Sequence, residues 1–160
     1  YRLAIYFKPE RILELGTSLG LSTAYLAASG SRVVTLEGCP ETATIAGENL
    51  EKLSLKNCVI KTGDFDETLP EILKTHQPEM VFFDGNHRKD PTLRYFQLCK
   101  GRRTHKTFFV FDDIHWSEEM QQAWEEIKKD PEVTVTVDLF YMGIVFFNPD
   151  LSKEDFILKY

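Results

Sequence analysis

Short, nearly continuous apolar runs alternate along this chain with segments whose apolar residues recur at helical spacing. The runs at residues 11–15, 32–37, 58–62, 80–84 and 107–112 read as strands buried on both faces, the pattern of a parallel sheet. Between them, residues 21–29, 41–53, 68–75 and 91–100 read as helices, each punctuated near an end by Gly, Pro, Ser or Asp. After the fifth run, Met120, Ala123, Trp124 and Ile127 mark one face of a further helix. Strand and helix in strict alternation predict βαβ units and a doubly wound α/β domain.

The last part breaks that rhythm. Val133, Val135 and Val137 alternate with Thr134, Thr136 and Asp138, and a second strand-like run at 143–147 follows almost at once. Too few residues separate the two for a crossover helix, so they are expected to form an antiparallel hairpin, 133–139 with 143–147, at one edge of an otherwise parallel sheet. Residues 156–160 are expected to add a short edge strand. No repeat, low-complexity tract or linker interrupts the chain, which reads as one domain over residues 1–160. It opens without a methionine on an apolar patch at residues 3–7, and the expectation is that a further N-terminal segment precedes it. Leu3, Ile5 and Phe7 are the sequence's one hint of a homodimer contact.

Composition narrows the partners. The net charge is −6 over 160 residues, with charged side chains dispersed rather than blocked. No basic stripe is available to displace counterions, which argues against a nucleic-acid partner. No apolar run approaches the ~20 residues of a membrane span, and no signal peptide is recognisable. Cys39, Cys58 and Cys99 are odd in number and lack CxxC spacing, so they read as free thiols of a reducing, cytoplasmic compartment.

The candidate chemistry sits where strands end, the place where open α/β sheets bind ligands. The first strand runs through Glu14 and Leu15 into Gly16-Thr17-Ser18-Leu19-Gly20, and a helix opens after it. The glycines permit a sharp turn and the close approach of a ligand. The helix start offers N–H groups, with the hydroxyls of Thr17, Ser18 and Ser22 nearby. A carboxylate at Glu14 repels phosphate and suits an ammonium group, which points away from a dinucleotide and toward an amino-acid-bearing nucleoside. Glu37, followed by Gly38, closes the second strand about 20 residues past the turn, where a carboxylate accepts two ribose hydroxyls. Asp64 closes the third strand, placed either to accept the exocyclic amine of an adenine beside Phe65 or to cap the next helix.

Asp84 closes the fourth strand, and Asp112 and Asp113 the fifth. If these strands are neighbours, three carboxylates converge, which is costly without a compensating cation or ligand. An all-oxygen set suits Mg²⁺ or another hard divalent cation; the alternative gives Asp84 to the cofactor alone and Asp113 to a helix cap. His87 and His115 lie just beyond these acids, and a histidine near neutral pKa is a plausible general base. Trp116 is placed either to shield a substrate ring or to begin a helix core, whereas the helical spacing of Trp124 assigns it to the core.

The ordered set Glu14-Leu15-Gly16-x-x-x-Gly20-x-Ser22, Glu37, Gly63-Asp64, Phe83-Asp84-Gly85 and Asp112-Asp113-x-x-Trp116 resembles the class I S-adenosylmethionine-dependent methyltransferases along the whole chain. Within that class it looks like the branch of small bacterial O-methyltransferases related to catechol O-methyltransferase. The resemblance implies a Rossmann-like methyltransferase sheet, S-adenosylmethionine as cofactor and a small-molecule acceptor. It implies that Gly16 and Gly20 line the methionine part, that Ser22 reaches its carboxylate, and that Glu37 holds the ribose. The metal triad of the catechol-type enzymes falls on Asp84, Asp112 and Asp113. The last triad position, usually asparagine in that branch, is aspartate here. The position of the branch's catalytic lysine is His87, with Lys89 a near alternative. The resulting expectation is O-methylation, with His87 and Asp84 in catalytic roles. A nicotinamide-dependent oxidoreductase would need GxGxxG where this chain has GxxxG, and a non-catalytic cofactor-binding domain is the third class.

Overall fold

The computed structural model describes residues 1–159, which form two compact units, one over residues 1–80 and one from Val81 onward. In the first, helix α1 (Arg2–Phe7) precedes β1 (Arg11–Leu15), α2 (Leu21–Ala27), β2 (Arg32–Glu37), α3 (Pro40–Lys52), β3 (Cys58–Thr62) and α4 (Phe65–Thr75). The strands lie in the order β3-β2-β1, all parallel, with Arg11 opposite Arg32 and Val33 opposite Cys58. Each crossover carries a helix, as parallel pairing requires. Ile12, Leu13, Leu15 and Leu36 are wholly buried, with Ala46 of α3 and Leu69 of α4 also in the core. The patch at residues 3–7 is helical, a turn and a half too short to announce itself by periodicity.

One strand departs from expectation. The run at residues 58–62 has the pattern of a strand buried on both faces, but β3 closes its unit as an outer strand and leaves Val59 50% exposed. An apolar run of five residues reads the same in either setting.

The second unit holds β4 (Met80–Phe83), α5 (Lys89–Lys100), β5 (Phe108–Asp112), α6 (Glu118–Lys129), β6 (Val135–Asp138), β7 (Met142–Phe146) and β8 (Glu154–Ile157). Its strand order is β4-β5-β7-β6-β8. The expected hairpin is present: β6 and β7 are antiparallel, with Asp138 opposite Gly143 and Val135 opposite Phe146. Phe140, at φ 70°, makes the connection, and Leu139 N–H donates to the Met142 carbonyl at 2.8 Å. β7 lies between β5 and β6, antiparallel to both. The expected terminal edge strand exists as Glu154–Ile157, parallel to β6; Tyr160 lies outside the described residues.

The core of this unit is aromatic. The rings of Phe83 and Phe111 stack at 4.2 Å, and Phe109 meets Phe147 edge-on at 4.8 Å. Trp124, 1% exposed, lies against Gly143 of β7, where a Cβ would sit 2.6 Å from two atoms of the indole.

At the end of α6, Asp130 accepts from Lys100 Nζ at 2.6 Å and from Gln97 at 3.2 Å. Burial would raise the Asp130 carboxyl, but Lys100, the Glu132 N–H and Gln97 outweigh it and hold the group below its ordinary value. A carboxylate with a depressed folded pKa stabilises the fold above its unfolded pKa, and that contribution is lost as pH falls through the folded pKa. Asp130→Asn should therefore cost about 1–3 kcal/mol near neutral pH. The difference from the parent should begin to shrink as pH drops below roughly 4 and vanish once pH is below the folded pKa. Urea midpoints taken at stepped pH check this; a gap that persists in acid would remove the ion pair as its cause.

Among the described residues no helix is long and apolar enough to cross a membrane.

Candidate functional site

In the first unit the three strand ends are tied to one another. Gly16 N–H and Thr17 N–H both donate to the Leu36 carbonyl, at 3.0 and 3.1 Å, and Gly63 N–H donates to the Glu37 carbonyl at 2.9 Å. Gly16 stands at φ 106° and Gly20 at φ 84°, backbone that a side chain at Cβ resists. Gly20 lies against Ala46 and Leu50 of α3, at ordinary contact distance from where a Cβ would stand, so its positive φ and not lack of space is what favours glycine there. Ser18, at φ 49°, holds the turn open without being glycine.

Glu37 is the fixed point of this group. One carboxylate oxygen accepts from Ser18 N–H at 2.8 Å and the other from Cys39 N–H at 3.0 Å. Two protein donors leave lone pairs on both oxygens for further donors. Gly38, between Glu37 and Cys39, is exposed and has open space around its Cα.

Glu14 is placed differently from the sequence reading. Its side chain is wholly buried and accepts from the Thr23 hydroxyl of α2; its Oε1 has no hydrogen-bond partner. Burial pushes its carboxyl up, and the hydroxyls of Thr23, Ser22 and Thr35 pull against that shift. Thr17 and Thr35, both buried, share a hydrogen bond of 2.6 Å beside it. Glu14 thus pins the start of α2 to β1 from inside.

At the end of β3, Asp64 caps α4 by accepting from Asp66 N–H at 2.7 Å. The capping reading is realised, and Asp64 remains exposed with Phe65 half-buried beside it.

In the second unit β4 and β5 are neighbours, which brings Asp84, Asp112 and Asp113 to adjacent strand ends. His87 Nε2 stands 3.8 Å from Asp84 Oδ1 and 4.0 Å from Asp113 Oδ2. Burial and then the charge of Asp113 push the Asp112 carboxyl up, while the Asp113 N–H, Asp84 and His87 pull it back. Asp113 sits at φ 56° and Asn86 at φ 56°, non-glycine residues in the left-handed region beside the cluster.

A shared cation finds no ligand set in this arrangement. Among the described residues no group of three or more His, Cys, Asp or Glu side chains could hold a metal ion. Asp84 and Asp113 both face His87 Nε2, so in this arrangement the imidazole stands between two acids of the expected triad.

His115 is not part of that cluster. Its Nε2 pairs with Asp138 at 2.8 Å and its ring stacks on Phe140 at 5.5 Å. Asp138 was not singled out in the sequence; the alternation of residues 133–138 places it at a strand end, but nothing in it indicates a partner 23 residues earlier. Lys89, the alternative base, is held by Glu126 at 2.6 Å. Trp116 is 76% exposed, which excludes a core role and leaves the indole free to meet a ligand.

These geometries accompany clear kinship. The chain is 32% identical over 118 residues to a catechol O-methyltransferase of Niastella koreensis, covering 70% of this chain and 52% of that protein. It is 42% identical to a protein-L-isoaspartate O-methyltransferase of Magnetococcus marinus over 38% of this chain and 26% of the relative. The chain thus spans about half the length, or less, of these curated relatives. An O-methyltransferase of Bacillus cereus, solved in complex with SAH, superposes with a TM-score of 0.77 at 24% identity, over 91% of this chain and 77% of that one. That likeness establishes the Rossmann-like methyltransferase fold. Residues 13–114, more than half the chain and spanning every strand-end residue discussed from Glu14 to Asp113, match the family described as methyltransferase domain, and the chain belongs to that family.

Proposed function

We propose that this chain is an S-adenosylmethionine-dependent O-methyltransferase acting on the hydroxyl of a small molecule. The observation that carries the reading is Glu37, a strand-end carboxylate fixed by Ser18 and Cys39 with acceptor capacity left over. Two vicinal ribose hydroxyls match that capacity. The names of the relatives and the bound SAH of the B. cereus protein support the same cofactor and reaction class.

The residues divide the work as follows. Glu37 with Gly38 receives the ribose. Gly16, Thr17, Ser18 and Gly20 form the turn against which the methionine part lies, and Ser22 meets its carboxylate. Glu14 acts through Thr23, keeping that turn in place. Asp64 and Phe65 border the adenine, and Asp84 serves both cofactor and acceptor. S-adenosylmethionine supplies a sulfonium-bound methyl group open to attack by an oxygen nucleophile. His87 takes the proton of the acceptor hydroxyl at Nε2, and the carboxylates of Asp84 and Asp113 stabilise the imidazolium. No step is drawn through a metal, because the acids do not form a ligand set.

The acidic balance and dispersed charge support a small acceptor over a nucleic acid. The three free cysteines support a cytoplasmic setting.

Calorimetry with S-adenosylmethionine and, separately, NAD tests the cofactor; binding of NAD alone would overturn the assignment. Turnover to S-adenosylhomocysteine over a panel of phenolic and aliphatic hydroxyl acceptors tests the reaction. His87→Ala should lower kcat by roughly 10²–10⁴-fold while leaving S-adenosylmethionine affinity intact. Undiminished turnover in that variant would move the base to another residue. Activity abolished by a chelator and restored by Mg²⁺ would show that the three aspartates rearrange around an ion.

A further inference from the structure

We propose that β8 is the contact through which two copies of this chain pair, edge to edge and antiparallel, into a homodimer. β8 is the outer strand of its unit, and all four of its residues are exposed. Among the described residues nothing pairs with its far edge. Glu154 N–H donates to the Thr134 carbonyl and Leu158 N–H to the Asp138 carbonyl, each at 2.9 Å, so the even-numbered residues spend their backbone groups on β6. The odd-numbered strand residues Asp155 and Ile157 therefore turn their N–H and C=O groups outward, and the Leu158 bond carries the same phase on toward Lys159. Natural edges are usually blunted by proline, bulges or inward charges. This one is an apolar stretch between opposite charges, with Phe156 44%, Ile157 71% and Leu158 52% exposed.

The order of residues is self-complementary. With Ile157 on a twofold axis, Asp155 of one copy stands opposite Lys159 of the other, twice, and Phe156 stands opposite Leu158. The outward-facing residues then meet one another as hydrogen-bonded pairs, which is the pairing an antiparallel ladder requires. The outer strand of the first unit lacks this property. Val33 N–H donates to the Asn57 carbonyl, so Cys58, Ile60 and Thr62 face outward from β3. About Ile60, Val59 would meet Lys61 and Cys58 would meet Thr62, with no opposite charges. A single strand pairing is a small interface, so the dimer is weak and dependent on concentration.

Sedimentation equilibrium of the chain over a wide concentration range should show a reversible monomer–dimer transition. Lys159→Asp sets like charges opposite each other at both ends of the ladder and should raise the dissociation constant roughly tenfold, whereas Lys159→Arg should leave it near the parent value. Ile157→Pro removes only an outward N–H, a position where an edge strand tolerates proline, so it should abolish the dimer while keeping the thermal midpoint of the dilute monomer. A chain that stays monomeric at every concentration overturns the proposal. So does a dimer that survives both Lys159→Asp and Ile157→Pro, since it must use another surface.

Discussion

Gly143→Ala should destabilise the protein by about 1–3 kcal/mol, the range for forcing one methyl group into a packed core. Gly143 lies on β7, and the Cβ of alanine would come within 2.6 Å of both Cη2 and Cζ3 of Trp124. Neither side can give way easily. The indole is 1% exposed, and its α6 neighbours Met120, Ala123 and Ile127 are buried with it. The strand is bonded on both sides, with Gly143 opposite Phe111 of β5 and Asp138 of β6. The clash must therefore be absorbed by a rotamer change of Trp124 or a shift of β7, and either disturbs the aromatic packing around it. Urea denaturation checks the size of the loss. Trp124→Phe in the Gly143→Ala background should recover part of it, because the smaller ring vacates the space, although the same substitution in the parent leaves a void. If the two changes add independently, the ring is not what excludes the methyl.

Glu37→Ala should weaken S-adenosylmethionine binding by roughly 1–3 kcal/mol, or about 5–150-fold, the cost of leaving polar groups unpaired. The variant removes the proposed ribose acceptor and also releases Ser18 N–H and Cys39 N–H. Both amides lie at the surface, where water can replace the lost partner, so global stability should change much less than affinity. Glu37→Gln separates the two effects. Its amide oxygen can satisfy one of the two N–H groups, and its NH₂ turns a donor toward the other. Calorimetry should place it between the parent and alanine. Equal affinity in all three proteins would remove Glu37 from the site and with it the main support for the cofactor assignment.

Much of this was legible from residue order alone. β1, β2 and β5 announced themselves because strands buried on both faces carry uninterrupted apolar runs. The hairpin followed from counting the residues between two such runs. Elements were misjudged where the signal was short or two-valued. Six residues of α1 cannot show a helical period, and the run of β3 looks the same at the edge of a sheet as inside it. At the site, the positions of Glu14, Glu37 and the three aspartates at strand ends were readable, because chain topology puts strand ends together. What each carboxylate touches was not. Whether Glu14 faces a ligand or Thr23, and whether Asp84 and Asp113 face His87 or a cation, depends on side-chain directions and on distances of an ångström. The pairing of His115 with Asp138 depends on β7 lying between β5 and β6, and no local pattern encodes a strand's neighbour.

The same insertion of β7 sets an order of events for the nascent chain. β5, with Phe108, Phe109, Val110 and Phe111 all buried in the finished molecule, is synthesised well before the strand that closes its edge. Phe108 waits for Phe146, and β6 emerges first but has no place beside β5. While the ribosome passes from Asp112 to Phe146, a strand with four buried apolar residues leaves the edge meant for β7 unpaired. Such non-local closure is slow compared with helix formation and exposes the chain to association with its neighbours. Conditions that slow elongation through residues 113–146 prolong this exposure, which makes β5 the segment for a chaperone to cover during synthesis.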